Sequence, residues 1–97
     1  MALINKDNTL NWVLITVKKM PVNSSIEILS YKRNRSIKVF KKEGYLQVLE
    51  KGFYNEEFKI KTEELKGLLK KLLRREFPRS HKLWVFKHII LPTPLSI

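Results

Sequence analysis

The sequence of 97 residues contains no cysteine, and this absence excludes several kinds of site. Disulfide bonds, iron–sulfur clusters, thiolate zinc sites and cysteine nucleophiles all require a thiol. No apolar run reaches 18 residues, so the sequence predicts no membrane-spanning helix. The first residues, MALINKDN, lack the charged-then-apolar pattern of a secretion signal. We therefore expect a cytoplasmic protein without a membrane partner.

The sequence also has few acidic residues relative to basic ones. Nine Asp and Glu stand against twenty Lys and Arg, which leaves a formal net charge of +11. The excess is largest in residues 59–88, which hold ten basic and three acidic side chains. A field of this sign attracts polyanions such as DNA, RNA or an anionic membrane surface, and a solvated basic face is the alternative interpretation. We favour nucleic acid as the partner.

The length suffices for one domain, and an apolar fraction of 43% suffices for its core. We predict a single domain over residues 1–97. Residues 1–9 are polar and without a pattern, so they are predicted to be a loose arm. Residues 91–97 are predicted to be a loose tail, because Pro92 and Pro94 disfavour pairing in a sheet.

The strongest local pattern is an amphipathic helix from Thr62 to Phe77. Thr62 is a candidate N-cap, and Pro78 cannot continue a helix. Apolar residues recur at three- and four-residue steps, the spacing of one helix face, at Leu65, Leu68, Leu69, Leu72, Leu73 and Phe77. No other segment is long enough to cover a sheet, so this helix is predicted to organise the core.

Alternating apolar residues between turn residues predict six strands, at residues 10–19, 25–32, 36–42, 45–51, 53–61 and 82–90. In the first, Val13, Ile15 and Val17 share one face; a short helix is the alternative. Gly44 allows the tight turn of a hairpin, and short turns make neighbouring strands antiparallel. The predicted fold class is α+β, an antiparallel sheet of about five to six strands with one long amphipathic helix packed on one face.

Alternation along the strands sends different side chains to the two faces of this sheet. The face toward the helix is predicted to carry Ile37, Val39, Leu46, Val48, Tyr54, Phe58, Ile60, Leu83 and Val85. The opposite face then carries Lys38, Phe40, Lys42, Tyr45, Gln47, Lys51, Phe53, Lys82, Trp84, Phe86 and His88. Interleaved aromatic and basic side chains bind single-stranded nucleic acid in several folds. The alternatives are a second core, covered by residues 1–20 and the tail, or a dimer interface.

Two clusters of basic residues extend this prediction. One surrounds the end of the helix, and the other lies in the turn Lys32–Ser36. A solvated surface is the alternative for each cluster. The predicted nucleic-acid site comprises Arg33, Arg35, Lys38, Phe40, Lys42, Tyr45, Lys51, Phe53, Arg74, Arg75, Arg79, Lys82, Trp84 and Phe86.

Catalytic and metal-binding patterns are absent from the sequence. His81 and His88, the two histidines, have no second ligand at metal spacing. Glu56 and Glu57 are adjacent on a predicted strand, so their carboxylates point to opposite faces. No phosphate-binding glycine loop or nucleophile elbow occurs. We predict no enzyme activity, no cofactor and no metal.

Strands followed by Lys59–Leu65 and a leucine-rich helix resemble the single-stranded DNA-binding fold of the positive-cofactor-4 family. The segment Glu76–Ser80 followed by a strand is similar to small archaeal single-stranded DNA-binding proteins of the ThermoDBP type. The resemblance covers residues 36–86. It implies a curved antiparallel sheet, a helix that contributes to a dimer, and an aromatic cleft flanked by basic residues. The strand after the helix and the extra N-terminal strand depart from the positive-cofactor-4 order.

Three functions remain open on the sequence. The leading hypothesis is a non-enzymatic protein that binds single-stranded DNA or RNA with little sequence specificity. The second is a small basic ribonuclease, in which His81, His88, Arg79 and Tyr45 would supply acid–base and phosphate-binding groups. The third is a homodimeric protein-interaction module, in which the aromatic face is the interface.

Overall fold

The part of the chain that the structure describes folds as one six-stranded antiparallel sheet with two α-helices. The structure, a computed structural model, describes residues 2–52, 54–77 and 81–89. The predictions for Phe53, Pro78, Arg79 and the tail at 91–97 lie outside the described residues. The elements are β1 (Ala2–Asn5), α1 (Lys6–Lys19), β2 (Ser25–Leu29), β3 (Ser36–Lys42), β4 (Tyr45–Lys51), β5 (Glu56–Ile60), a 3-10 turn (Thr62–Glu64), α2 (Leu65–Glu76) and β6 (Lys82–His88).

The strand order across the sheet is β1-β6-β2-β3-β4-β5, and every neighbouring pair is antiparallel. This confirms the α+β class and the six-stranded antiparallel sheet. β3 and β4 have the predicted bounds, and the turn between them contains Gly44 with φ of +84°. β2 ends three residues earlier than predicted, and β5 begins at Glu56.

The prediction of a strand over residues 10–19 is wrong, because Lys6–Lys19 is the helix α1. Val13, Ile15 and Val17 alternate as they would in a strand, yet Ile15 is 47% exposed while Val13 and Val17 are buried. The buried positions are Thr9, Val13 and Val17, at four-residue spacing. This spacing is that of one helix face. The face consists of two valines and a threonine, and its burial favours a helix over the strand that the alternation suggested.

The N-terminal arm also differs from the prediction. Residues 2–5 form β1, which pairs with β6 so that Leu3 lies opposite Trp84 and Asn5 opposite Lys82. The backbone N–H of Lys6 donates to the carbonyl of His81 at 2.8 Å. The Lys6 ammonium donates to the carbonyl of Phe77 at 2.5 Å. The start of the chain is therefore bonded to the sheet and to the end of α2.

One apolar cluster unites the sheet with both helices. α1 contributes Val13 and Val17, and α2 contributes Leu65, Leu69, Leu72 and Leu73, followed by Phe77. The sheet contributes Ile26, Ile28, Ile37, Val39, Leu46, Val48, Leu83 and Val85, with Phe58 and Ile60 packed against the cluster. The predicted core face is thus confirmed except at Tyr54, which is 41% exposed. The single long helix is corrected to two helices of 14 and 12 residues.

The start of α2 differs from a simple capped helix. Thr62, the predicted N-cap, is the first residue of the 3-10 turn instead. The Glu64 carboxylate accepts the backbone N–H of Lys61 at 2.9 Å, and this bond fixes the entry to the turn. Among the described residues, neither helix is long and apolar enough to cross a membrane.

The central strand β2 provides a test of the core. Ile28 is fully buried and lies opposite Ile37 and Val85. We expect Ile28→Ala to lower the free energy of unfolding by about 2–5 kcal/mol, because it leaves a cavity in a packed interior. Urea denaturation followed by circular dichroism measures this.

The matched control is Ile15→Ala, which removes the same atoms from a side chain that is half exposed. Its free energy of unfolding should stay within about 0.5 kcal/mol of the parent protein. Equal losses in the two variants would contradict the assignment of Ile15 to the solvent side of α1.

Candidate nucleic-acid interface

The sheet face opposite the core cluster, here called the outer face, carries most of the predicted site. Along β3, Lys38, Phe40 and Lys42 alternate with the buried residues Ile37 and Val39. The register brings β4 residues opposite them. Lys42 faces Tyr45, Phe40 faces Gln47, and Lys51 faces Ser36.

β6 supplies the other half of the outer face. Trp84 lies between Leu3 of β1 and Leu29 of β2. Phe86 lies opposite Glu27. The prediction that these side chains share one face is confirmed for Lys38, Phe40, Lys42, Tyr45, Lys51, Lys82, Trp84 and Phe86. Their role in binding stays a prediction.

The outer face is basic but not uniformly so. The register places five lysines on it, Lys38, Lys42, Lys51, Lys59 and Lys82, against two glutamates, Glu27 and Glu57. A groove of about 380 Å³ opens between β2, β3 and β6, lined by Ser25, Glu27, Lys38, Phe40, Phe86, Lys87 and His88. The groove therefore combines two aromatic rings with basic side chains and one carboxylate.

Trp84 is the centre of an aromatic and cationic cluster. The ring of Tyr31 stacks near it, with centroids 6.3 Å apart and planes inclined by 21°. The Arg33 guanidinium lies 4.9 Å from the centroid of the Trp84 ring. The indole N–H donates to the Tyr31 carbonyl at 3.1 Å. This bond fixes the rotation of the indole, so its position does not depend on a ligand.

The loop between β2 and β3 holds Tyr31 and Arg33 in place. Ser30 closes it, since its N–H donates to the carbonyl of Arg35 at 3.0 Å and its carbonyl accepts the N–H of Arg33 at 2.8 Å. The Ser30 hydroxyl also bonds to the Asn34 amide oxygen at 2.9 Å. Arg33 has φ of +63°, which non-glycine residues adopt infrequently. A bonded loop with this conformation directs both side chains toward Trp84.

Phe40 has a similar cationic neighbourhood. The ammonium groups of Lys38 and Lys42 lie 5.6 and 5.5 Å from the centroid of its ring. Both lysines are two residues from Phe40 on the same strand face, so the spacing follows from strand alternation. Trp84 and Phe40 of the outer face thus each have a positive charge beside the ring.

Arg74, Arg75 and Arg35 do not belong to the outer face. Arg74 and Arg75 lie on α2, whose apolar residues join the core cluster on the other side of the sheet. Arg75 bonds to Glu50 through two nitrogens and to Glu56 at 3.1 Å. Its guanidinium also lies 4.1 Å from the centroid of the Tyr54 ring. The Arg35 guanidinium donates to the Glu76 carbonyl at 3.1 Å. Arg35 and Arg75 therefore make structural contacts within the protein, and their predicted binding of phosphate stays a prediction.

The partners of these arginines form a buried ionic cluster. Glu50 and Glu76 are each 1% exposed. The Glu76 carboxylate accepts the N–H of Tyr54 at 3.0 Å. A Cβ on Gly52 would lie 2.5 Å from the Glu76 carboxylate, which explains glycine at this position. Burial raises the pKa of Glu50, and a hydrogen bond to the Glu76 carboxyl raises it further, although Arg75 opposes both effects.

Two residues of the interface are missing from the sequence prediction. Tyr31 is 62% exposed and stacks near Trp84, although it lies in a turn rather than a strand. Its position directly before the basic turn Lys32–Ser36 is the signal that could have found it. Lys59 lies opposite Gln47 on the outer face. Strand alternation from the Gln47 position would have assigned it there.

The two histidines are not brought together. His81 precedes β6 and His88 ends it, so the strand separates them by about 23 Å at 3.3 Å per residue. Both are exposed. Within residues 2–52, 54–77 and 81–89, no group of three His, Cys, Asp or Glu side chains could hold a metal ion. The ribonuclease alternative, which assigned acid–base and phosphate-binding roles to His81, His88, Arg79 and Tyr45, stays a prediction.

The Glu50–Glu76 pair predicts a pH dependence of stability. The pKa of Glu50 is higher in the folded protein than in the unfolded chain, because burial disfavours its charge. The stability that Glu50 contributes is therefore fully present below the pKa that it has in the unfolded chain. This stability is lost as pH rises through the pKa that Glu50 has in the folded protein. Glu50→Gln cannot ionise. We expect the variant to gain stability relative to the parent protein as pH rises, by at most about 1.4 kcal/mol per pH unit.

Urea denaturation at a series of pH values measures this difference. Glu63→Gln is the control, because it makes the same exchange at an exposed position in the 3-10 turn. If the stability difference between Glu50→Gln and the parent protein were independent of pH, a raised pKa of Glu50 in the folded protein would be ruled out.

Comparison with known proteins identifies no relative of this chain. No family model, no curated protein and no solved structure matches the chain. The resemblances to the positive-cofactor-4 and ThermoDBP families thus remain sequence-based expectations. The function has to be inferred from the outer face itself.

Proposed function

We propose that this protein binds single-stranded nucleic acid through the outer face of its sheet, without catalysing a reaction. The observation that carries the proposal is the arrangement of Trp84, Phe86, Phe40 and Tyr45 among lysines on β6, β3 and β4. Both helices bury their apolar residues in the cluster on the other face. The aromatic side chains of the outer face are therefore not needed for that cluster.

The aromatic rings favour single strands over duplexes. A base can stack on an aromatic ring when it is unpaired, and in a duplex both of its faces are already covered. Trp84 and Phe86 are two residues apart on one strand, about 7 Å along the sheet. This distance is comparable to that between neighbouring bases of an extended single strand. The two rings support consecutive stacks, and Phe40 lies two strands away across the groove.

The lysines provide the electrostatic part of the proposal. Lys38 and Lys42 lie beside Phe40, and Arg33 lies beside Trp84, so cations accompany the proposed stacking sites. Neutralising phosphates releases counterions, which makes affinity fall with salt. Glu27 inside the groove would repel a phosphate there, so the backbone is expected to pass along the lysines and to direct its bases toward the groove.

Stacking without a dense set of base-edge contacts gives little sequence preference. The uncharged polar side chains of the outer face that can read a base edge include Gln47, Ser25, Ser36 and Asn5. Gln47 already donates to the Glu57 carboxylate at 2.6 Å. We therefore propose binding with weak sequence specificity and make no distinction between DNA and RNA.

Tryptophan fluorescence tests the proposed stacking. Trp12 lies on α1 and packs against the core cluster, whereas Trp84 lies on the outer face. We expect a Trp12→Phe variant, which keeps Trp84 alone, to lose fluorescence on titration with oligonucleotides such as dT or rU tracts, because a base stacks on the indole. Double-stranded oligonucleotides of equal length should quench it less.

The matched control is Trp84→Phe, which keeps Trp12 alone and retains an aromatic ring at position 84. Its fluorescence should change little while the oligonucleotide still binds, as measured by the anisotropy of a labelled strand. Binding with no change in Trp84 emission would place the nucleic acid elsewhere on the protein. An absence of binding to any strand at low salt would end the proposal.

The salt dependence of binding tests which lysines contact phosphate. We expect Lys38→Gln to weaken binding and to reduce the slope of log K against log salt by about one, because one phosphate contact is lost. Lys66→Gln makes the same change on the exposed surface of α2, behind the sheet. It should leave the slope unchanged. Equal slopes for the two variants would mean that the outer face is not the site.

A further inference from the structure

The edge strand β5 carries a charge pattern that fits a second copy of itself. β5 ends the strand order and, in the part of the chain that the structure describes, has β4 as its only strand neighbour. An open edge presents unpaired N–H and C=O groups, which can pair with another strand. Glu57 and Lys59 lie on the outer face, opposite Leu49 and Gln47 of β4. Phe58 and Ile60 lie on the core side.

Few pairing registers are available to two copies of β5. When a two-fold axis relates two antiparallel strands, the residue numbers of every opposite pair add up to the same sum. Opposite residues point to the same face of the sheet, so this sum must be even and the axis passes through a residue position. A pair centred on Glu57 sets two glutamates opposite each other, and a pair centred on Lys59 sets two lysines opposite each other. A pair centred on Phe58 sets each Glu57 opposite a Lys59.

The register centred on Phe58 is therefore selected by charge. Opposite charges that face each other across two strands stabilise the pair, and like charges destabilise it. On the core side, the same register brings the two Phe58 rings together and puts Glu56 opposite Ile60. Glu56 is already paired with Arg75 of its own chain at 3.1 Å, so the core side introduces no contact between like charges.

We propose that the protein forms a homodimer by antiparallel pairing of β5 with β5 of a second copy, in the register centred on Phe58. The two-fold axis is then perpendicular to the sheet. The two sheets join into one sheet of twelve strands, and the outer faces of both copies lie on the same side. The pairing does not depend on the proposed function, although it would extend one basic face across both copies.

The opposite edge of the sheet lacks a comparable pattern. β1, Ala2–Asn5, has four residues and no charged side chain. Pairing between two copies of β1 would have no charge to fix its register. Charge complementarity thus distinguishes β5 from β1.

Light scattering coupled to size-exclusion chromatography tests the dimer without nucleic acid. We expect the parent protein to change from monomer to dimer as its concentration rises over about 1–100 µM. Lys59→Glu should weaken the dimer roughly ten-fold or more, because two attractive pairs become two repulsive ones. Glu57→Lys should weaken it to a similar extent.

The double variant Glu57→Lys with Lys59→Glu exchanges the two charges and restores both attractive pairs. We expect it to recover dimerisation, which also shows that the single variants fail through charge and not through misfolding. Lys18→Glu is the control with the same change of net charge, because Lys18 is exposed on α1, whose main strand contacts are with β1, β2 and β6.

Three results would overturn the proposal. The first is a parent protein that stays monomeric over the whole concentration range. The second is a dimer that Lys59→Glu leaves intact, which would place the interface elsewhere. The third is a double variant that remains as monomeric as the single variants, because the register centred on Phe58 requires the exchange to be neutral.

Discussion

The molecule depends on the alternation of its strands against a core that lies on one side of the sheet. Ile26, Ile28, Ile37 and Val39 must point into the cluster shared with α1 and α2, so the residues between them must point away from it. The aromatic and basic outer face is thus a geometric consequence of where the apolar residues lie. A shift of one residue in any strand pairing would exchange the two faces and bury lysines.

The ionic cluster at the end of α2 adds polar bonds to the contacts of the apolar core. Arg75 joins α2 to β4 and β5 through Glu50 and Glu56. Arg35 joins the loop after β2 to the last residue of the same helix. Buried carboxylates are costly unless they are paired or protonated. The bonds from Arg75 to Glu50 and from the Tyr54 N–H to the Glu76 carboxylate therefore compensate the burial of these two glutamates. Arg75, which the sequence suggested was available to bind phosphate, is thus already bonded to a glutamate of the protein.

Sequence reasoning succeeded where one pattern had no competitor. The leucines of α2 repeat at helical steps, and the hairpin of β3 and β4 has a glycine in its turn, so both were predicted closely. It failed at α1, where β-branched residues at alternate positions imitate a strand. The helical face there includes Thr9, a polar residue whose hydroxyl bonds to the Asn5 carbonyl at 3.0 Å. A pattern of apolar residues does not include a buried threonine, so it does not identify this face as helical.

For the site, alternation predicted which strand residues share the outer face, because it needs only the period of a strand. It could not predict that Arg75 pairs with the Glu50 carboxylate or that Arg35 donates to the backbone carbonyl of Glu76, since those contacts join residues 25 and 41 positions apart. Nor could it predict Tyr31, whose place near Trp84 depends on hydrogen bonds within a loop. Long-range partners and loop conformations are decided by the folded chain as a whole.

The position of β6 has a consequence for how the protein is made. Among the six described strands β6 is the last in sequence, yet it lies between β1 and β2 and pairs with both. While the ribosome is still synthesising α2, β1 has no partner and β2 has one bare side. β1 therefore gains its partner strand β6 only after residues 82–88 have emerged, and these six strands form one sheet only at that point. Until then, the nascent chain has to avoid pairing those open edges with a neighbour.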